Sequence, residues 1–212
     1  MKLIAVFSLN LSLAIYLVWF IPQIWLNFKR KDTEGLSLFM HGLLCLGYLT
    51  DLLYGFGRGM QWQYRTVTLT GLVSLAVQHY QFGRYGLHRI TQKYMYVALT
   101  FLLLILIFII FYVFHLNSDR KIFYDNAGMV ANICWFIYML PQIIKNRVNH
   151  SAQGLSALFI LLGILSNLCD ITSAWILGWD FPSKIGPPIT LIGNLILLSQ
   201  IIYYKKQAII SA

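Results

Sequence analysis

The chain has 212 residues, of which 58% are hydrophobic and 11% are charged, and its mean hydropathy is +0.68. Soluble domains average about 25% charged residues, so this composition excludes an ordinary soluble protein and predicts a polytopic membrane protein. The formal net charge of +9 comes from cationic residues at the ends of apolar stretches, where they indicate membrane topology rather than nucleic-acid binding.

Seven apolar stretches predict seven transmembrane helices, since one span needs about 20 apolar residues. They cover roughly residues 3–28, 36–57, 62–82, 94–115, 122–145, 155–178 and 184–205. The first stretch is too long for a signal peptide and lacks a small-residue cleavage site, so it is interpreted as a span. Cys45, Cys134 and Cys169 all fall within predicted spans, which predicts buried thiols rather than disulfides or a metal site.

Two segments of the chain follow one pattern. PQIWLNFKRKDTEGLS begins at Pro22 and PQIIKNRVNHSAQGLS begins at Pro141, 119 residues later, and the same offset pairs Asp51 with Asp170. A repeat at a fixed spacing indicates duplication of one structural unit. The predicted fold is all-α, with a three-helix repeat in 1–83, a linker helix in 84–121 and a second three-helix repeat in 122–212. A single linker helix makes the repeats parallel, related by a twofold along the membrane normal.

The paired Pro-Gln motifs, each followed by a polar loop and Gly-Leu-Ser, resemble the PQ-loop family over nearly the whole chain. That family includes the lysosomal cystine and cationic amino acid exporters. SWEET sugar transporters and the KDEL receptor share its architecture. The resemblance implies a seven-helix (3+1+3) membrane transporter that works by alternating access, and it implies no cofactor and no metal.

The acidic residues depart from the family pattern. In the cationic amino acid branch, a Gly-Asp pair is expected where this chain has Gly47-Tyr48. The position of the protonatable aspartate of cystinosin, counted from the second Gly-Leu-Ser motif, corresponds to Gly163 in this chain. The acidic groups of this chain lie instead at Asp51 and Asp170, which leaves the substrate open.

Pro22 and Pro141 lie near the ends of the first and fifth predicted spans. Proline has no N–H, so it frees a backbone carbonyl and bends a helix. We expect both prolines to act as hinges. The following side chains, Gln23 and Gln142, are expected either to bond the freed carbonyl or to line and gate the cytoplasmic side of a central cavity.

Asp51 and Asp170 are the acidic residues that lie deep in predicted spans. Placing an aspartate at a helix centre costs about 2.5–3.5 kcal/mol on insertion scales, so an intramembrane carboxylate is a functional candidate. We expect the twofold to bring both carboxylates to one cavity, where they could exchange protons or pair with a cationic solute. The structural alternative is hydrogen bonding to Tyr or Asn, or ion pairing with Arg58 or Arg65.

Four further residues are candidates for proton coupling or substrate binding. Tyr48 and Asn167 each lie three residues before an aspartate, on the same helix face. Asn194 lies in the last span, and the equivalent position of the first repeat is Leu75. The difference predicts an asymmetric site. His79 is the histidine deepest in a predicted span. Neither a nucleophile–base spacing nor a metal-ligand spacing is present, so the chain is not expected to be an enzyme.

Ten Lys and Arg residues lie on one predicted side of the membrane and six on the other, which places the N-terminus outside and the C-terminus in the cytoplasm.

The expected function is proton-coupled transport of a small polar solute, most readily a cationic or cystine-like amino acid. The alternatives are a SWEET-like sugar facilitator and a non-transporting binding protein like the KDEL receptor. Expected partners are the solute, protons and lipid, without nucleic acid. The short loops favour a bacterial inner membrane over a vacuolar or lysosomal one.

Overall fold

The computed structural model describes residues 1–86, 121–179 and 181–210, and within these ranges every regular element is an α-helix. The helices are α1 (Lys2–Trp19), α2 (Ile21–Arg30), α3 (Leu38–Gly57), α4 (Trp62–Tyr85), α5 (Lys121–Ile137), α6 (Leu140–Val148), α7 (Ala157–Ile176) and α8 (Phe181–Ile210). The predicted all-α class is confirmed for these ranges. The fourth predicted span, 94–115, lies outside the described residues.

Each Pro-Gln pair marks a helix break. Phe20 separates α1 from α2, and Tyr138 with Met139 separates α5 from α6. Pro22 and Pro141 then occupy the first turn of α2 and α6, where a missing N–H costs no helical hydrogen bond. Phe20 and Met139 keep right-handed helical backbone angles, so each pair of helices forms one nearly continuous rod. The bends and the hinge role of the prolines remain predictions.

Among the described residues, five helices or helix pairs are long and apolar enough to cross a membrane. They are Lys2–Arg30, Leu38–Gly57, Lys121–Val148, Ala157–Ile176 and Ser183–Ile209. Helix α4 has 24 residues and corresponds to the third predicted span, but it is not among the five because Gln, Thr and Arg side chains lower its hydropathy. The seven-helix arrangement and the proposed repeat boundaries remain predictions.

The backbone repeats itself as the sequence does. Lys31 and His150, which are 119 positions apart, both have left-handed backbone (φ 54° and 46°), and so do Gly59 and Gly178 (φ 60° and 66°). Helix α1 packs on α7 and α3 packs on α5, whereas α4 and α8 pack within their own repeats. The two repeats therefore contact one another through equivalent pairs of helices, as a twofold axis requires.

The Gly-Leu-Ser loops of the two repeats meet backbone to backbone at one end of the bundle, hereafter the loop end. A Cβ atom added at Gly154 would lie 2.9 Å from the Gly35 Cα, and one added at Gly35 would lie 1.9 Å from the Gln153 carbonyl oxygen. Gly154 also has φ +92°, a conformation that residues with a Cβ rarely adopt. The contact therefore requires glycine in both copies.

The other two residues of each motif anchor the loop. Leu36 and Leu155 are buried in the hydrophobic core. Ser37 and Ser156 are N-caps, and each side chain accepts a hydrogen bond from the backbone N–H three residues further on, at the start of α3 and α7. Serine is favoured at this position because its oxygen satisfies a helix N–H that has no partner in the helix.

The variant Gly154→Ala is expected to lower the melting temperature of the purified protein in detergent. The added methyl group meets the Gly35 backbone, and a strained φ alone costs about 1–3 kcal/mol. Gly42→Ala is the control, because a Cβ there has nothing within 4 Å and alanine favours a helix interior by about 0.5–1 kcal/mol. Equal melting temperatures for the two variants would show that the loops do not need this close approach.

Candidate functional site

A cavity of about 120 Å³ lies between the two repeats, with walls from α1, α3, α4, α5, α7 and α8. Four of the residues singled out in the sequence line it: Asp51, Asp170, Tyr48 and Asn167. A cavity of about 150 Å³ is large enough to hold benzene. The cavity therefore has room for a small solute or a few water molecules.

The Asp51 carboxylate is held within its own repeat. It accepts hydrogen bonds from the Tyr64 hydroxyl and, at 3.3 Å, from Thr68 Oγ1, both on α4. The residues at the corresponding positions of the second repeat are Ser183 and Pro187, so the tyrosine and threonine of the first repeat have no direct counterparts there.

The Asp170 carboxylate is held by the opposite repeat. It accepts hydrogen bonds from Ser12 Oγ at 2.5 Å and from the Tyr16 hydroxyl at 2.8 Å, both on α1. The positions equivalent to Ser12 and Tyr16 in the second repeat are Ala131 and Trp135, which carry no hydroxyl group. The two equivalent carboxylates thus have different hydrogen-bond donors, and the duplication alone could not predict which residues these donors are.

Neither carboxylate forms an ion pair with a described residue. Arg58, one of the two expected partners, pairs with Asp125 at 3.0 Å. The Arg65 guanidinium lies over the Phe56 ring at 5.2 Å. Hydroxyl groups therefore orient the two carboxylates but do not neutralise them, and such a cavity favours a proton or a cationic group.

Aromatic rings separate the cavity from the loop end. Tyr48 and Trp135 pack edge to face with ring centroids 4.8 Å apart, and Trp135 contacts Tyr138 in the same geometry at 5.8 Å. Trp19 stacks on Phe159 at 4.9 Å. In the other direction the cavity extends to the first residues of α4 and α8. The cavity is thus closed toward the loop end of the bundle.

Trp179 is a lining residue that the sequence analysis did not select. Its indole ring packs edge to face on Tyr64, with centroids 6.2 Å apart, and its Nε1 is buried without a hydrogen-bond partner among the described residues. A buried donor without an acceptor is costly, so Trp179 offers a hydrogen bond to a solute. The equivalent residue of the first repeat is Met60, so the repeat pattern could not identify Trp179 as a lining residue.

Asn194 and His79 do not line the cavity. Asn194 is 1% exposed, and neither of its amide atoms has a partner among the described residues. It lies beside Gly163, where an added Cβ would be 3.0 Å from the Asn194 Nδ2. His79 Nδ1 lies 2.8 Å from the Leu75 carbonyl oxygen, nearer the loop end.

Gln23 binds the loop of the opposite repeat. Its Nε2 donates to the Gly154 carbonyl oxygen at 2.8 Å, and its Oε1 accepts from the Ser156 N–H at 2.8 Å. The same Nε2 also donates to Asn27 Oδ1 at 2.8 Å. The Gln23 side chain is 1% exposed.

Gln142 makes the equivalent contacts in the reverse direction. Its Nε2 donates to the Gly35 carbonyl oxygen at 2.9 Å and to Asn146 Oδ1 at 2.8 Å, and its Oε1 accepts from the Ser37 N–H at 2.7 Å. We call the bonds between each glutamine and the opposite loop the cross-repeat latch. Its members are Gln23, Gly154, Ser156, Gln142, Gly35 and Ser37.

The observed bonds of the glutamines differ from two of the expected ones. They bond neither carbonyl freed by proline, and they do not line the cavity. Their role as a gate remains a prediction. The physical reason for the observed bonds is that a buried loop must satisfy its backbone N–H and C=O groups. A primary amide supplies an acceptor oxygen and an NH₂ group with two donors, one for the loop carbonyl and one for the neighbouring asparagine. Asn27 and Asn146 extend the network by donating to Gln81 at 2.9 Å and Gln200 at 3.0 Å.

The helices and the paired motifs define a multi-pass membrane protein built from two copies of one helical repeat. A family model described as the PQ loop repeat matches residues 4–64 and 123–183, which together make up more than half of the chain. The chain belongs to the PQ-loop family.

Two curated relatives come from Saccharomyces cerevisiae. The vacuolar histidine transporter YPQ3 is 33% identical over 81 residues, which are 38% of this chain and 27% of that protein. The vacuolar lysine transporter YPQ1 is 32% identical over 92 residues, which are 43% of this chain and 30% of that protein. The alignments thus span less than a third of each relative.

A solved structure of a eukaryotic SWEET transporter has the same fold. It superposes with a TM-score of 0.70 over 97% of this chain and 98% of that chain, at 17% sequence identity. At this identity the likeness shows the fold alone.

The variant Gln142→Glu is expected to loosen the latch. A carboxylate still accepts from the Ser37 N–H but cannot donate to the Gly35 carbonyl, and an unsatisfied buried group costs about 1–3 kcal/mol. Hydrogen exchange measured by mass spectrometry should show faster exchange across residues 35–37. Gln153→Glu is the control, because that side chain is exposed. Unchanged exchange in Gln142→Glu would remove the latch as a constraint on the loops.

Proposed function

We propose that this protein is a secondary transporter for a small polar solute, most favourably a cationic amino acid, coupled to protons. The observation that carries the proposal is the pair of carboxylates, Asp51 and Asp170, that face one cavity without a cationic partner among the described residues. The histidine and lysine transporters among the relatives support an amino acid as the solute. Their transporter names also support the expectation that the chain is not an enzyme.

The cavity can hold a small solute through contacts of three kinds. The two carboxylates pair with a cationic group, or each takes a proton in its place. Tyr48 and Asn167 offer polar groups on the same helix faces, and Trp179 offers an indole N–H. Because the solute cation and the protons compete for the same two carboxylates, release of one favours uptake of the other.

The closed loop end supports a mechanism of alternating access. Opening that end breaks the four hydrogen bonds of the latch. At about 0.5–1.5 kcal/mol each, they contribute a few kcal/mol, which matches the free-energy difference of a few kcal/mol typical of two interconverting conformations. The bends at Pro22 and Pro141 serve as the hinges, and Gln23 and Gln142 close the cytoplasmic side as latch residues.

The proposal includes the seven-helix 3+1+3 arrangement, which the likeness to the SWEET structure supports. It keeps the N-terminus outside and the loop end in the cytoplasm, as the distribution of Lys and Arg indicates. For the compartment, the vacuolar relatives support the vacuolar alternative over the bacterial inner membrane favoured by the short loops.

The test is transport into liposomes that contain a pH-sensitive dye. Lys, Arg, His, cystine, neutral amino acids and glucose are applied one at a time to wild type, Asp51→Asn and Asp170→Asn. We expect a pH change driven by a cationic amino acid, and its loss by about tenfold or more in either variant, since one proton-transfer group contributes about 10²-fold or more. Asp125→Asn is the matched control, because Asp125 pairs with Arg58 at the surface.

The other possible results of the transport experiment distinguish the alternative functions. Glucose flux without a pH change, unaltered in both variants, indicates a sugar facilitator and removes the proton role. Solute binding without flux indicates a receptor. Equal loss in Asp125→Asn would mean that the carboxylates act through stability rather than through the solute.

A further inference from the structure

A second polar cluster lies in the first repeat, at the loop end and away from the cavity. It consists of His41 and Cys45 on α3 and Gln78 and His79 on α4. The His41 side chain is 2% exposed and Gln78 is 0% exposed. The equivalent residues of the second repeat are Ile160, Ile164, Leu197 and Leu198. Because aliphatic residues fill the same place there, packing does not require the polar groups of the first repeat.

The His41 ring lies between two hydrogen-bond acceptors. Its Nδ1 is 3.2 Å from the Ser37 carbonyl oxygen, and its Nε2 contacts Gln78 Oε1. A neutral imidazole has a single N–H, whereas the protonated ring has two. Both contacts are therefore hydrogen bonds when the ring carries a second proton.

Rotation of the Gln78 amide accommodates the neutral ring. Half a turn exchanges the amide oxygen for the NH₂ group, which then donates to His41 Nε2 while Nδ1–H donates to Ser37. The Gln78 Nε2 has no other partner among the described residues, so the rotation breaks no second bond. One amide rotation thus lets the site hold His41 in either protonation state.

Among the described residues, no acidic group pairs with His41. The other titratable side chains of the cluster are His79 on α4, with its ring centroid 6.1 Å away, and Cys45 on α3, which contacts His79. The Lys145 Nζ donates to the Leu36 carbonyl at 2.9 Å, close to the start of α3. His41 also lies in the first turn of α3, where the helix dipole is positive.

A charged imidazole is therefore disfavoured while the loop end stays closed and excludes water. Ser37 connects the ring to the latch. Its carbonyl faces His41, and its N–H donates to Gln142 Oε1 at 2.7 Å. Opening the loop end would break the bond between Ser37 and Gln142 and would expose the ring to water, whereas the contact between His41 and Ser37 lies within the first turn of α3.

We propose that His41 with Gln78 forms a proton-binding site, distinct from the two cavity carboxylates, and that proton uptake at His41 opens the cross-repeat latch. The second repeat has no equivalent, so the protonation acts on the latch from one side. The proposal does not rest on transport of any solute, and its test needs none.

The test uses the full chain in lipid nanodiscs with ¹⁵N-labelled histidine. We expect the His41 ring signal, assigned by its absence in His41→Gln, to pass from one N–H to two as the pH is lowered from about 8 to about 3, because a buried ring without a counterion takes up its proton below the usual range of histidine. Over the same range, the exchange protection of residues 35–37 and 154–156, corrected for the intrinsic effect of pH, should fall about tenfold, which corresponds to one unit of linked pKa difference.

Two variants separate the site from other causes. His41→Gln keeps a polar side chain but cannot titrate, and His41→Ile takes the residue of the second repeat. Both should lower the pH dependence of protection below that of wild type, whereas the exposed His150→Gln should retain the wild-type dependence. A His41 signal that does not change with pH, or equal pH dependence of protection in wild type and both His41 variants, would falsify the proposal.

Discussion

The contact between the two Gly-Leu-Ser loops is the constraint on which the rest of the structure depends. Gly35 and Gly154 allow the backbones to touch, and this buries loop N–H and C=O groups that need partners. Gln23 and Gln142 supply them, each across the boundary between the repeats. The Pro-Gln and Gly-Leu-Ser motifs are therefore the two halves of one interaction, made twice.

This contact also explains why the cavity lies at one end. The latch and the aromatic rings beneath it close the loop end of the bundle, so open space remains toward the beginnings of α4 and α8. The helix pairs α1–α2 and α5–α6 carry both cavity-lining residues and latch residues. Pro22 and Pro141 lie in the sequence between the two sets.

The chemistry lies where the two repeats differ. Asp51 and Asp170 occupy equivalent positions, yet one is held by α4 of its own repeat and the other by α1 of the opposite repeat. The positions equivalent to His41 and Gln78 in the second repeat are Ile160 and Leu197. The shared positions form the scaffold, the latch and the pair of aspartates, whereas the unshared positions supply the side chains that surround each aspartate and the cluster of His41 and Gln78.

The sequence by itself determined the helical class, the duplication and the family, because apolar stretches and a pattern repeated after 119 residues are local properties of the chain. The offset also paired the two aspartates. Only the tertiary structure decided which side chains hold them and that Gln23 and Gln142 bind the opposite loop. Those partners lie 131 and 107 residues away, and no periodicity along the chain specifies a hydrogen bond between two bundles. Trp179 and His41 were missed for the same reason: their roles depend on neighbours that folding brings together.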